Sequence, residues 1–260
     1  MCRHLVYLGP SVTLRELLFD PPASLMRQSW APRDMRGGGT INADGFGVGW
    51  YPNDGEPARY RRACPIWSDP TIVQLAGVTR SGAILAAVRS ATPGMPVLES
   101  AAAPFAEGRW LFSHNGAVRG WPDSVVSLAG ALPVRDLLTL DAPTDSALLW
   151  ALVRHRLRAG VKPARAIAET VVAVARAAPG SRLNLLLTDG HTAVASVVGH
   201  ALSIRRTPTS VVLASEPYDD ESDWQAVPDG QLAVATATGV QIRALMAERP
   251  PGDLMRKGQI

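Results

Sequence analysis

Met1-Cys2-Arg3-His4-Leu5-Val6-Tyr7-Leu8 opens the chain, with a cysteine directly behind the initiator and an apolar run after it. Removal of Met1 would leave Cys2 carrying a thiol and an α-amine on one residue, groups whose reference pKa values are roughly 8.5 and 7.7–8.0. The amine can then take the thiol's proton near neutral pH, so Cys2 is a candidate terminal nucleophile with its base built in. The residues from Cys2 to Leu8 read as a short strand ended by Gly9-Pro10, which places the cysteine at a sheet edge.

The composition allows a sizeable core. Of 260 residues, 47% are hydrophobic and 19% charged, which fits one globular domain spanning 2–260 and excludes a disordered chain. The net charge of +3 comes almost wholly from arginine, since Lys162 and Lys257 are the only lysines. The densest basic run, Arg59-Tyr60-Arg61-Arg62, lacks a nucleic-acid reading motif and is expected to form the solvated face of a strand. The amino terminus has no signal-peptide pattern, and no apolar run reaches the roughly 20 residues of a membrane span. A cytoplasmic protein with no nucleic-acid or membrane partner is expected. A disulfide between Cys2 and Cys64 is disfavoured there, and Cys64 reads as a packing residue. The five histidines show no zinc-like spacing, so neither metal nor cofactor is expected.

Further along, Thr13 caps a helix that Pro21-Pro22 stops. In Asp44-Gly45-Phe46-Gly47-Val48-Gly49-Trp50-Tyr51, glycine alternates with large residues, as in a strand whose bare face admits another backbone or a ligand. A dinucleotide fingerprint would have to open a helix; here a Pro52-Asn53-Asp54-Gly55 turn follows, and 58–62 returns as hairpin partner. Residues 70–77 read as helix, 83–89 as a β run delivering Arg89 to its carboxyl end, and 91–108 as a long loop. Trp110-Leu111-Phe112-Ser113 then leads into His114-Asn115-Gly116, where Asn-Gly signals a turn, by itself an ordinary hairpin. Helices at 145–159, capped by Thr144, and 163–178 follow, and the remainder is nearly all strand. Strands grouped in runs around helices argue for antiparallel sheets packed with helices rather than βαβ units.

Four features in order, the terminal Cys2, Arg89-Ser90-Ala91-Thr92, His114-Asn115-Gly116 and Thr144-Asp145-Ser146, resemble the class II glutamine amidotransferase branch of the N-terminal nucleophile hydrolases. With Gln28-Ser29-Trp30 and Ala214-Ser215-Glu216-Pro217 included, the pattern is most similar to the stand-alone γ-glutamyl amidohydrolases of ergothioneine biosynthesis. The resemblance implies a four-layer αββα sandwich and hydrolysis of a small-molecule γ-glutamyl amide through a thioester on Cys2. It places Arg89 on the substrate α-carboxylate, Asp145 on its α-ammonium, Asn115 and Gly116 at the oxyanion, and Gln28, Trp30 and His114 about the substrate. The residue types suit those roles: arginine's fork matches a carboxylate, and an amide with a backbone N–H can aim two donors at one oxygen. Asp145 has a competing role, because a carboxylate at a helix amino terminus is stabilised by the dipole alone. The chain departs from the family in Ser90 and Ala147, where tryptophan and glutamate are usual, and in Ala103-Pro104-Phe105, where a histidine-bearing loop is usual. A glutaminase feeding ammonia to a separate synthase and a silent binding protein of the same fold are the alternatives.

Overall fold

A computed structural model describes residues 2–36, 41–52 and 55–245; Asn53 and Asp54 of the turn read at 52–55 lie outside the described residues. The strands are β1 Arg3–Thr13, β2 Phe46–Trp50, β3 Ala58–Arg62, β4 Arg80–Val88, β5 Phe105–Glu107, β6 Trp110–Ala117, β7 Arg182–Thr188, β8 Thr192–Val197, β9 Ser203–Arg206, β10 Val211–Ala214, β11 Gln225–Ala226, β12 Gln231–Thr236 and β13 Gly239–Ala244. The α-helices are α1 Leu14–Leu18, α2 Leu25–Gln28, α3 Pro70–Val78, α4 Val126–Gly130, α5 Val134–Leu138, α6 Asp145–Arg158 and α7 Pro163–Ala177. Caps fix several starts: Thr13 and Glu16 form a reciprocal capping box on α1, and the Thr144 hydroxyl accepts from the Ala147 N–H on α6.

Two antiparallel sheets result, one ordered β11-β9-β10-β1-β4-β2-β3 and the other β13-β12-β8-β7-β6-β5. Side chains alternate along a strand, so parity decides which layer each residue enters. On β1, Val6 and Leu8 pack between the sheets with Leu85, Leu111, Leu186 and Leu213. Leu5 and Tyr7 turn the other way, onto Leu14, Leu17, Leu25 and Ile72 of α1, α2 and α3. On the second sheet, Phe112, Leu183, Leu185 and Leu187 face α6 and α7, and Phe112 stacks on Trp150 at 5.3 Å. Each such buried side chain contributes about 1.5–3 kcal/mol. The order is helix, sheet, sheet, helix, the αββα sandwich.

Three details differ from the sequence reading. β1 is not at an edge: it is the middle strand, with β10 and β4 on its flanks, and Cys2 lies at its start. Nor does Gly9-Pro10 end it; the register shifts between Leu8 and Val12, and pairing resumes at Val12↔Ser81. The arginine run is only partly a solvated face, because Arg59 donates to the Pro104 carbonyl (3.1 Å) and Arg61 to those of Ser100 (3.4 Å) and Ala102 (3.2 Å). These bonds hold the 100–104 segment over the bare face of β2. A Cβ on Gly47 would sit 2.3 Å from the Ala103 carbonyl oxygen, whereas one on Gly49 would meet the Leu111 side chain at 2.6 Å.

Backbone cannot yield as a leucine terminus can, so Gly47→Ala should destabilise the protein by about 1–3 kcal/mol and more than Gly49→Ala does. Urea unfolding of the two variants measures this, and a larger loss for Gly49→Ala would contradict the packing described.

Candidate active site

The parity that packs Val6 and Leu8 between the sheets carries His4 to the same face, with Cys2 one step further at the mouth. The Cys2 Sγ lies 3.8 Å from the Ser90 carbonyl oxygen, because Arg3 pairs with Val88 and the chain leaving β4 runs beside it. That exit is pinned by Asp44. Its N–H donates to the Arg89 carbonyl (3.0 Å), its Oδ2 accepts from the Ala91 N–H (2.8 Å), and the Arg89 N–H donates to Gly45 O (2.7 Å). Arg89 is buried, and its Nη1 has no hydrogen-bond partner in the protein. A buried guanidinium with an unused donor is suited to an anionic ligand.

Asn115 comes from the facing sheet, by the same parity as Leu111. It is fully buried; its Nδ2 donates to the Ser215 Oγ (3.2 Å) and its Oδ1 has no partner. The Asn115-Gly116 step is not a turn. Both residues continue β6 and pair with Asn184 and Leu183 of β7, so the turn signal loses to sheet pairing. Glycine is required at 116 for close approach, since a Cβ there would sit 1.9 Å from the Arg182 carbonyl oxygen.

Asp145, the first residue of α6, is buried and ties that helix to the end of β6: Oδ2 accepts from the Val118 N–H (2.9 Å) and Oδ1 from the Ser146 N–H (2.7 Å). His114 faces the helix side. Its Nε2–H donates to the Arg182 carbonyl (2.9 Å), leaving Nδ1 to accept from the Ser146 hydroxyl (2.9 Å). The Gln28 amide donates to the Ala23 carbonyl (2.8 Å), so it shapes the segment that carries Trp30. Trp30 is half-buried, edge-on to Trp67 at 5.3 Å, with the Arg27 guanidinium 5.6 Å from its ring centre. Cys2, Arg89 and Asn115 thus share one end of the interlayer space, whereas His114 and Gln28 are engaged behind it.

Sequence reasoning gave no role to Ser215 or Glu216, although their motif stood out. The Glu216 carboxylate, buried, accepts the N–H groups of Arg33 (3.0 Å) and Asp34 (2.8 Å) and lies 3.8 Å from the Arg3 guanidinium. Arg3 in turn donates to the Asp34 carbonyl. Arg3, the residue next to Cys2, therefore holds the segment that follows Trp30.

Residues 16–210 match the glutamine amidotransferases class-II family. The chain belongs to that family. It is 44% identical over 253 residues to a γ-glutamyl-hercynylcysteine sulfoxide hydrolase of Mycobacterium tuberculosis, covering 96% of this chain and 100% of that protein. Among solved structures, a glutamine aminotransferase class-II domain protein from Silicibacter pomeroyi superposes with a TM-score of 0.65 at 27% identity, over 94% of this chain and 99% of that one. The glutamine phosphoribosylpyrophosphate amidotransferase of B. subtilis shares the fold at a TM-score of 0.66 and 13% identity, over 95% of this chain and 50% of that one.

In this class-II amidotransferase chain the histidine nearest Cys2 along β1 is kept uncharged. His4 is buried, its Nδ1 lies 3.1 Å from the Ser113 Oγ, and burial, with His114, His200 and Arg3 adding to it, pushes its pKa down to about 3. His200 is pushed down to about 4 by burial first and by Arg182, Arg3 and His114 after it. A histidine so depressed is a weak proton acceptor at neutral pH.

Both imidazoles are neutral when folded and free to bind protons when unfolded. Between about pH 6.5 and 4 the unfolded chain therefore holds more protons, and stability falls as pH falls, by up to about 1.4 kcal/mol per pH unit for each proton. Urea unfolding at a series of pH values should show this decline, and His4→Gln should flatten it. A slope that His4→Gln leaves unchanged would contradict the assignment.

Proposed function

We propose that the protein hydrolyses the γ-glutamyl amide of γ-glutamyl-hercynylcysteine sulfoxide, releasing glutamate and hercynylcysteine sulfoxide in ergothioneine biosynthesis. What supports this reading is Cys2 at the start of β1, the unpaired Arg89 donor just after β4 and the buried Asn115 amide on the facing sheet. Near full-length similarity to a hydrolase of that name supports the substrate.

The α-amine of processed Cys2 takes the thiol proton, and the thiolate attacks the γ-carbonyl carbon. The oxygen that becomes negative is held by the Asn115 Nδ2–H and the Gly116 N–H, a contribution of about 2.7–4 kcal/mol per donor where it has been measured. Collapse expels the leaving amine, which takes the proton back from the α-ammonium. Water then attacks the thioester, giving a proton to the amine; the C–S bond breaks, the Cys2 thiolate takes that proton back, and glutamate leaves. Arg89 pairs with the substrate α-carboxylate. Asp145 keeps acceptor capacity beyond its two backbone bonds for the α-ammonium. We place the reaction in the cytoplasm, where a reducing environment keeps Cys2 a thiol.

Arg89 and Asp145 read only the glutamyl half, so preference for the conjugate falls to the leaving-group side. A trimethylammonium group is commonly held over aromatic faces, worth about 0.5–2 kcal/mol each. Trp30 is the proposed wall, with Trp67 bracing it at 5.3 Å. Steady-state kinetics should show higher kcat/KM for the conjugate than for glutamine, and Trp30→Ala should weaken the conjugate while leaving glutamine hydrolysis largely unchanged. Equal or better use of glutamine by the unmodified protein would favour a glutaminase that supplies ammonia.

A further inference from the structure

Ser215 stands at the end of β10, where the strand leaves its neighbour β1. Its own N–H donates to the His4 carbonyl at 2.9 Å, continuing the ladder in which Leu5 pairs with Ala214. The side chain does more than continue the ladder. Its Oγ accepts from the His4 N–H (3.0 Å) and from the Asn115 Nδ2 (3.2 Å), and donates to the His4 carbonyl (3.2 Å). A hydroxyl has one proton and two lone pairs, so this one is fully used and cannot rotate away. Ser215 is 1% exposed and Asn115 0%, which excludes solvent as a replacement partner.

The bond between Ser215 and Asn115 is the one direct side-chain link, among the described residues, from the nucleophile's sheet to the amide facing it across the layer. It also sets the amide's direction. Asn115 has two N–H donors on Nδ2; with one committed to Ser215, rotation of the amide is restrained and the second N–H stays available. Among the described residues no other hydrogen bond holds this side chain, and its Oδ1 is without a partner. Because His4 lies two residues after Cys2 on the same strand face, the hydroxyl measures the position of the oxyanion donor against the strand that carries the nucleophile.

We propose that Ser215 is a positioning residue that orients the Asn115 amide for the reaction, acting on rate rather than on substrate binding. The proposal rests on the reading of Asn115 as an oxyanion donor given above. Donors help only when preorganised toward the developing charge, and small misplacements are costly, up to about 10²-fold in rate per ångström.

The test is steady-state kinetics of the processed enzyme on the γ-glutamyl conjugate for four proteins: unmodified, Ser215→Ala, Asn115→Ala and the double variant. Ser215→Ala should lower kcat about tenfold or more with KM within about twofold. Asn115→Ala should lower kcat by about 10²–10³, and the double variant should be no slower than Asn115→Ala, because the hydroxyl acts through the amide. Should Ser215→Ala fail to fold, Ser215→Cys, of nearly the same shape with a weaker acceptor, is read in the same way. A normal rate for Asn115→Ala would sink the oxyanion reading itself. A slow Asn115→Ala beside a normal Ser215→Ala, or losses that multiply in the double variant, would overturn the role of Ser215 alone.

Discussion

Two-residue alternation along β1, set against the same alternation along β6, is the constraint on which this site depends. It sends His4, Val6 and Leu8 from one sheet and Leu111 and Asn115 from the other into a single layer, and it sends Leu5, Tyr7 and Phe112 outward under helices. A slip of one residue in either strand would exchange these sets and turn Asn115 toward α6. The apolar layers on both sides oppose such a slip, so the packing that stabilises the sandwich also places the chemistry. The hydroxyl of Ser215, bonded to His4 and Asn115 together, and the contact of His4 with Ser113 link the two strands where the apolar contacts end.

The electrostatics follow from the same burial. Arg89 enters the layer as a cation with a spare donor, while His4 and His200 are held neutral by removal from water. Arg89 thus offers a spare donor to an anion, and neither His4 nor His200 carries a charge at neutral pH. That combination suits a nucleophile that brings its own amine.

Much of this was legible in the sequence because the signals were local. The glycine alternation in 46–50 and the Thr144 cap act through neighbouring residues, and each element formed as expected. Arg89 and Asn115 were found through spacing that resembles a family, since nothing near them in the chain shows that they meet. What was missed is non-local. Asn115-Gly116 carries a turn signal by itself, but β7 supplies a partner strand from some seventy residues away. Arg59 and Arg61 look like solvent-facing charge until the 100–104 carbonyls come over them. Ser215 and Glu216 are one hundred to two hundred residues from the atoms they hold, so no window of sequence shows their work. Asp145 remains double in character, tied to two backbone N–H groups and proposed to meet the substrate as well.

The central claim is that Cys2, freed of Met1, is the nucleophile. Intact-mass analysis of the purified protein after exposure to a glutamine-like diazo-ketone tests it most directly. The account predicts one species, lacking Met1 and carrying a single label that peptide mapping places on Cys2, with Cys64 unmodified. An active protein that retains Met1, or one whose label lies on any other residue, would contradict it.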